Sequence, residues 1–179
     1  KELNSDRRAD MDAASLDPNL EESVVAEVNL EPIAESGLSS INDIPWRSPP
    51  EGGGSQKFST PLLWPVSNGK LTSGFGIRGG KLHEGIDVSA VSGTSIRATA
   101  AGRIIYDGRI NGYGNVVVIY HGKGISSVYA HNSVNLAKVH AEVERGEKIA
   151  RVGQSGEATS PHMHFEIRKD GVPVNPLQY

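Results

Sequence analysis

The stretch Ser160-Pro161-His162-Met163-His164-Phe165-Glu166-Ile167-Arg168 places chemistry-bearing side chains at alternate positions. Successive side chains of an extended chain point to opposite faces. His162, His164 and Glu166 therefore share one face of a predicted strand, and Met163, Phe165 and Ile167 the other. Two imidazoles and a carboxylate in register, in a chain with six histidines in all, favour metal binding over a merely polar strand face. Upstream, Leu82-His83-Glu84-Gly85-Ile86-Asp87 supplies a second donor pair, His83 and Asp87. Their spacing would fit one helical turn, but Gly85 with the β-branched Ile86 and Val88 predicts a loop running into a strand. Two histidine nitrogens and a carboxylate oxygen make a borderline-soft donor set suited to zinc, and three protein ligands leave a fourth tetrahedral position for water. An open position is expected of a catalytic site.

His83-x-x-x-Asp87, then Tyr129-Ala130-His131, then His162-x-His164 follow one another along the chain, with Gly112-Tyr113-Gly114-Asn115 and Gly153-Gln154-Ser155-Gly156 between them. This series, spanning roughly residues 64–177, resembles the lysostaphin/LytM-type zinc endopeptidases, which cut the peptide stems or cross-links of bacterial peptidoglycan. The resemblance implies zinc on His83, Asp87 and His164, with His131 beside it as a proton-handling group. His162 lies about 7 Å from His164 along an extended chain, close enough to act on the bound water but too far to be forced onto the same ion. Zinc would polarise the scissile carbonyl and lower the pKa of its water towards about 7, and His131 and His162 would move the proton and support the developing oxyanion. Glu166 is expected either to accept an imidazole N–H or to pair with Arg168. Asn111 and Tyr113 are expected to line the substrate groove, as the family's equivalent loop does. Some members carry a tyrosine six positions before the first zinc histidine. Here that position is Ile77, which leans against the glycine-bridge cutters. Glu84 reads as a solvated charge, and His121 and His140 as structural or exposed.

These residues must be held by short strands. Twenty-one Gly and ten Pro with 6% aromatic residues predict many strands and turns with almost no helix. Strands are predicted over 95–98, 102–107, 115–121, 125–130, 148–152 and 163–168. The third of these alternates Val116, Val118 and Tyr120 with Val117 and Ile119, as expected of a strand buried on both faces. The predicted fold is mainly β, a single antiparallel sheet with a groove occupying residues 58–179. Gly74-Phe75-Gly76-Ile77-Arg78-Gly79 matches a dinucleotide fingerprint, but no helix follows to supply a phosphate site. Its glycines are expected to let the backbone run close to the His83 loop.

Residues 1–57 read as an acidic, Pro-rich arm, with a short helix expected after Asp17-Pro18. Residues 1–51 carry twelve acidic against four basic side chains, a net −8, whereas 52–179 carry nine against fourteen, a net +5. A cationic domain suits an anionic polymer such as a cell wall. Nucleic acid is not expected as a partner, because aromatic and basic residues do not interleave. The arm is expected either to dock on the domain and partly block it, with Ile44, Trp46 and the prolines as candidates for the groove, or to dock elsewhere or on a neighbouring molecule. There is no cysteine to form disulfides or thiolate zinc ligands, no apolar run of membrane-spanning length, no helical His-Glu-x-x-His and no nucleophile elbow around Ser155 or Thr159. The expectation is an exported zinc peptidase of the cell envelope whose leader is not in this sequence. A non-enzymatic LytM-like activator of another wall hydrolase is the alternative, and a zinc-stabilised interaction domain a third.

Overall fold

The computed structural model describes residues 37–46 and 61–179, so the helix expected after Pro18 lies outside the described residues. Residues 37–46 belong to the same compact unit as the domain, Pro32–Tyr179. The architecture is mainly β, with two short 3-10 turns, Ile41–Asp43 and Pro176–Gln178, as the helical elements among the described residues.

Twelve strands follow in order: β1 Lys70–Ser73, β2 Gly76–Arg78, β3 Lys81–His83, β4 Ile86–Ser89, β5 Ser95–Arg97, β6 Gly102–Ile110, β7 Gly114–Tyr120, β8 Ile125–Asn135, β9 Glu142–Val143, β10 Lys148–Val152, β11 His162–Lys169 and β12 Val172–Val174. A ten-stranded sheet runs β1-β4-β11-β8-β7-β6-β9, with β12 on β11 and with β10 joining β8 to β5, while β2 and β3 form a separate hairpin. Every strand pairing is antiparallel. The sequence placed β5 to β8, β10 and β11 and the run from Gly85 into β4, and left the short strands β1, β2, β3, β9 and β12 unassigned. With few side chains each, those strands carry too little alternation to read.

The alternation of β11 is realised as two faces. Met163, Phe165 and Ile167 enter the main core with Ile86, Val88, Val117, Ile119 and Tyr129. On the opposite face a second apolar cluster gathers Val116, Val118, Val128 and Ala130 with Tyr106 and Ile110, and residues 37–46 cover it through Ile41 and Ile44. That cover explains why β7 is apolar on both sides. β8 forks along one edge: it pairs with β11 from Ile125 to Ala130 and with β10 from Asn132 to Asn135. His131 stands at the fork with a left-handed backbone, φ 61°, which bends the strand from one partner to the other.

Candidate active site

Register brings the site together. In β11, His164 lies opposite Asp87 of β4 on one side and Ala130 of β8 on the other. Since Ile86 and Val88 face the main core, Asp87 shares the opposite face with His164. His83 ends β3, and the turn through Gly85 presses directly onto β11. A Cβ at Gly85 would meet the Phe165 carbonyl, Glu166 Cγ at 2.8 Å and His164 Cε1 at 3.0 Å. Glycine is what permits that approach.

His83, Asp87 and His164 converge as a possible metal-binding group. His83 Nε2 lies 3.1 Å from Asp87 Oδ1 and 3.2 Å from His164 Nδ1, and His164 Nδ1 lies 2.9 Å from Asp87 Oδ1. A tetrahedral ion with bonds of about 2.0 Å needs its ligands roughly 3.3 Å apart, so these donors fit zinc with little adjustment. Each imidazole is oriented from behind. His83 Nδ1–H donates to the Gly74 carbonyl at 2.7 Å, leaving Nε2 for the ion. This contact gives the expected approach of the Gly74 segment to the His83 loop a definite purpose. His164 Nε2–H donates to Glu166 Oε1 at 2.9 Å, leaving Nδ1.

The electrostatics are those of a cation site. Burial raises the Asp87 carboxyl, but the hydrogen bond and charge of His164, helped by His83 and His162, outweigh it and leave the carboxyl at about 2. Burial lowers the His164 imidazole, but its hydrogen bonds to Asp87 and Glu166 outweigh that and raise it to about 9. Without metal the ring is therefore doubly protonated at neutral pH, and a bound cation would take the place of the Nδ1 proton.

His131 and His162 flank this group, with ring centroids 4.7 Å apart. His162 Nδ1–H donates to the Ser160 carbonyl at 2.7 Å, and its Nε2 stands 3.9 Å from Asp87 Oδ1. His131 Nδ1–H donates to the Ser155 carbonyl at 2.8 Å, and its ring lies 6.0 Å from that of His164. Burial pushes the His131 imidazole down to about 4, so it is neutral at pH 7 with a free Nε2 lone pair. Ser155, in the turn set aside as a nucleophile, also ties the loop down: its hydroxyl accepts from Asn115 N–H and donates to the Asn132 carbonyl.

Behind the candidate ligands lies a charged network that the sequence shows only in outline. Glu166 is fully buried and makes both of its expected contacts, accepting from His164 and, at 2.6 Å, from Arg168 Nε. It also accepts from the Tyr113 hydroxyl at 2.7 Å. Burial raises the Glu166 carboxyl, but His164 and Arg168 reverse this and hold it below the usual carboxylate range. Burial and the Glu166 charge push the Tyr113 phenol well above its ordinary value, so it remains a donor. Arg168 is fully buried, and its guanidinium also pairs with Glu84. Glu84 is thus an anchor for Arg168 and Tyr113, and the expectation of a solvated charge gives way to that contact. Arg168 continues the period of His162, His164 and Glu166, the one signal that could have marked it.

A cleft of about 580 Å³ opens over the donors. Asn111 and Tyr113 line it as expected, together with Arg78, Leu82, Glu157 and Thr159. Ser40, Ile41 and Asn42 complete the lining. Ile44 and Trp46, the expected groove occupants, sit beside it: Ile44 in the second core and Trp46 over Arg168. His121 is structural, held by Ala101 and Ser127, and His140 is exposed.

The profile of Peptidase family M23 matches residues 81–176. The Murein hydrolase activator NlpD of Salmonella dublin is 44% identical over 129 residues, covering 70% of this chain and 33% of that protein. The DD-carboxypeptidase/endopeptidase Mpg of Neisseria meningitidis serogroup B is 46% identical over 97 residues, covering 54% of this chain and 22% of that protein. This chain thus spans a third or less of the length of these two curated relatives. Among solved structures, a zinc-containing peptidase from Vibrio cholerae superposes with a TM-score of 0.62 at 30% identity, over 67% of this chain and 40% of that one.

Proposed function

This chain belongs to peptidase family M23, and from that premise we propose that it is a zinc-dependent endopeptidase hydrolysing peptide bonds in peptidoglycan stems or cross-links. The single observation that carries the reading is the convergence of His83 Nε2, Asp87 Oδ1 and His164 Nδ1 to within 2.9–3.2 Å of one another. These three would hold the ion, which when bound supplies Lewis-acid polarisation of the scissile carbonyl and a lowered pKa for water. His131, neutral at working pH, takes the proton at Nε2. His162, facing the same space, would receive that proton at Nε2, hydrogen-bond with it the oxygen that gathers charge, and pass it on to the leaving amine. Glu166 keeps the His164 tautomer fixed throughout. Asn111 and Tyr113 bound the substrate. The arm restrains which peptides enter, since Ser40, Ile41 and Asn42 narrow the cleft.

The working place in this reading is the cell envelope, outside the cytoplasm, where the net positive domain meets an anionic polymer. No helix among the described residues is long and apolar enough to cross a membrane.

A second reading, a non-enzymatic activator of another wall hydrolase, draws support from the similarity to NlpD. The complete donor set and the retained His131 and His162 favour the enzyme. The test is digestion of purified peptidoglycans of different cross-link chemistry, with and without a chelator, and identification of the new ends. New peptide termini that disappear on chelation are expected. A zinc-loaded protein that releases none, yet accelerates a second hydrolase, moves the assignment to the activator.

A further inference from the structure

Residues 37–46 cross the face of the sheet that carries the metal donors, and they are built to stay there. Ile41 and Ile44 are 4% and 2% exposed. The turn Ile41–Asp43 is fixed by a capping box: Ser40 Oγ accepts from Asn42 N–H at 3.1 Å, and Asp43 Oδ2 accepts from Ser40 N–H at 2.9 Å. The box sets Asn42, exposed at the cleft, against Arg168, so that Asn42 Oδ1 accepts from Arg168 Nη1 at 3.2 Å. Trp46 lays its ring over the same guanidinium, 5.2 Å from its central carbon. Gly171 makes room for that ring, because a Cβ there would strike Trp46, and its carbonyl accepts from Arg168 Nη1 at 3.1 Å.

Glu166 and Glu84 pair with the Arg168 guanidinium, and the strap of residues 37–46 adds Asn42 and Trp46. The far oxygen of Glu166 accepts the Nε2–H of His164 at 2.9 Å, and this contact turns His164 Nδ1 towards Asp87 and His83. An unbroken series of contacts leads from the strap through Arg168 and Glu166 to a metal donor. The guanidinium matters here because its planar, fixed donors transmit orientation, which a flexible ammonium would not.

We propose that residues 37–46 are a positioning element of the site: Asn42 and Trp46 clamp Arg168, Arg168 fixes Glu166, and Glu166 fixes His164 for the metal. The same segment is a permanent wall of the cleft and not a removable plug. The two roles predict opposite outcomes. Loosening a plug raises turnover, whereas loosening a clamp weakens metal binding and lowers turnover. The inference rests on reading His83, Asp87 and His164 as zinc ligands.

The test uses the full chain carrying Asn42→Ala, Trp46→Ala, both together, or Trp46→Phe. Zinc affinity is measured by chelator competition, the His164 Nε2–H signal by nitrogen-15 NMR without metal, and hydrolysis on peptidoglycan. Groups that orient a ligand typically change affinity by about 10–100-fold. Acting two residues further out, the double variant is expected at the lower end, about 10-fold weaker, with the Nε2–H signal shifted or lost and turnover reduced. Trp46→Phe, which keeps a ring over Arg168, should recover most of the affinity. Should the double variant not fold, Asn42→Ala alone carries the test through the NMR signal and the affinity. A lowered melting temperature with unchanged affinity and signal would reduce the strap to packing, and raised turnover would make it a plug; either overturns the proposal. A parent protein that binds zinc but cleaves nothing ends the peptidase reading while leaving the clamp to be decided by affinity and NMR.

Discussion

Replacing Glu166 with glutamine changes one oxygen to NH2 and removes a buried charge while keeping the shape of the side chain. The carboxylate accepts from Arg168 Nε at 2.6 Å, Tyr113 Oη at 2.7 Å and His164 Nε2 at 2.9 Å, and it is wholly buried. The amide can keep one acceptor oxygen, so at least one donor then faces an NH2. Hydrogen bonds to charged groups contribute about 1.5–3 kcal/mol each, and breaking a buried pair from one side costs about 3–5 kcal/mol. Arg168 retains Glu84, which places the expected loss at the low end, about 3 kcal/mol. For a domain of this size that corresponds to a fall in melting temperature of roughly 10 °C. Freed from its fixed tautomer, His164 should also lose zinc affinity by about 10–100-fold. Thermal unfolding and chelator competition on Glu166→Gln, beside the parent, measure both. A melting point within about 2 °C and an affinity within about twofold of the parent would refute the account of the network.

His164→Ala should abolish both zinc binding and hydrolysis, whereas His131→Ala should keep the zinc and lose about 10²–10⁴-fold in turnover, read by metal analysis beside a hydrolysis assay. Gly85→Ala should displace the His83 loop from β11, lowering the melting temperature and weakening zinc binding together, because the added carbon has backbone and ligand atoms in its way. Burial holds His131 near 4 in the folded protein against about 6.5 when unfolded, so the unfolded chain binds more protons between those values and stability rises with pH across that window. Melting temperature against pH should therefore climb less steeply from about 4 to 6.5 in His131→Gln than in the parent, and identical slopes would exclude the shift.

The candidate ligands were legible because each lies in a pattern with a mechanical meaning. Alternation in 162–167 is the pleat of β11, and the glycine between His83 and Asp87 is the close approach of the loop to that strand. The network behind them was only half legible. Glu166 stood in the pattern, but its partners Arg168, Glu84 and Tyr113 come from three separate segments whose meeting depends on register and loop course. Proline, glycine and acidic content marked the arm as a loose appendage. Composition averages over the stretch and so hides Ile41, while Ile44 and Trp46 stood out but were assigned to the groove, not to the second core and Arg168 where they sit. The apolar outer face of β7 was the visible trace of that cover, a surface without an assigned neighbour.

The fork in β8 separates two kinds of failure. All three candidate metal donors lie on the β4 and β11 side of it or on the adjoining hairpin, whereas His131 occupies the crotch and takes its tautomer from the loop beyond β10. Damage spreading from the β10 branch would tilt the proposed base without disturbing the candidate metal donors, so the protein would still bind an ion but turn over nothing. Damage from the β4 branch would empty the cup first. Lesions in this sheet should therefore sort by which tine they strike.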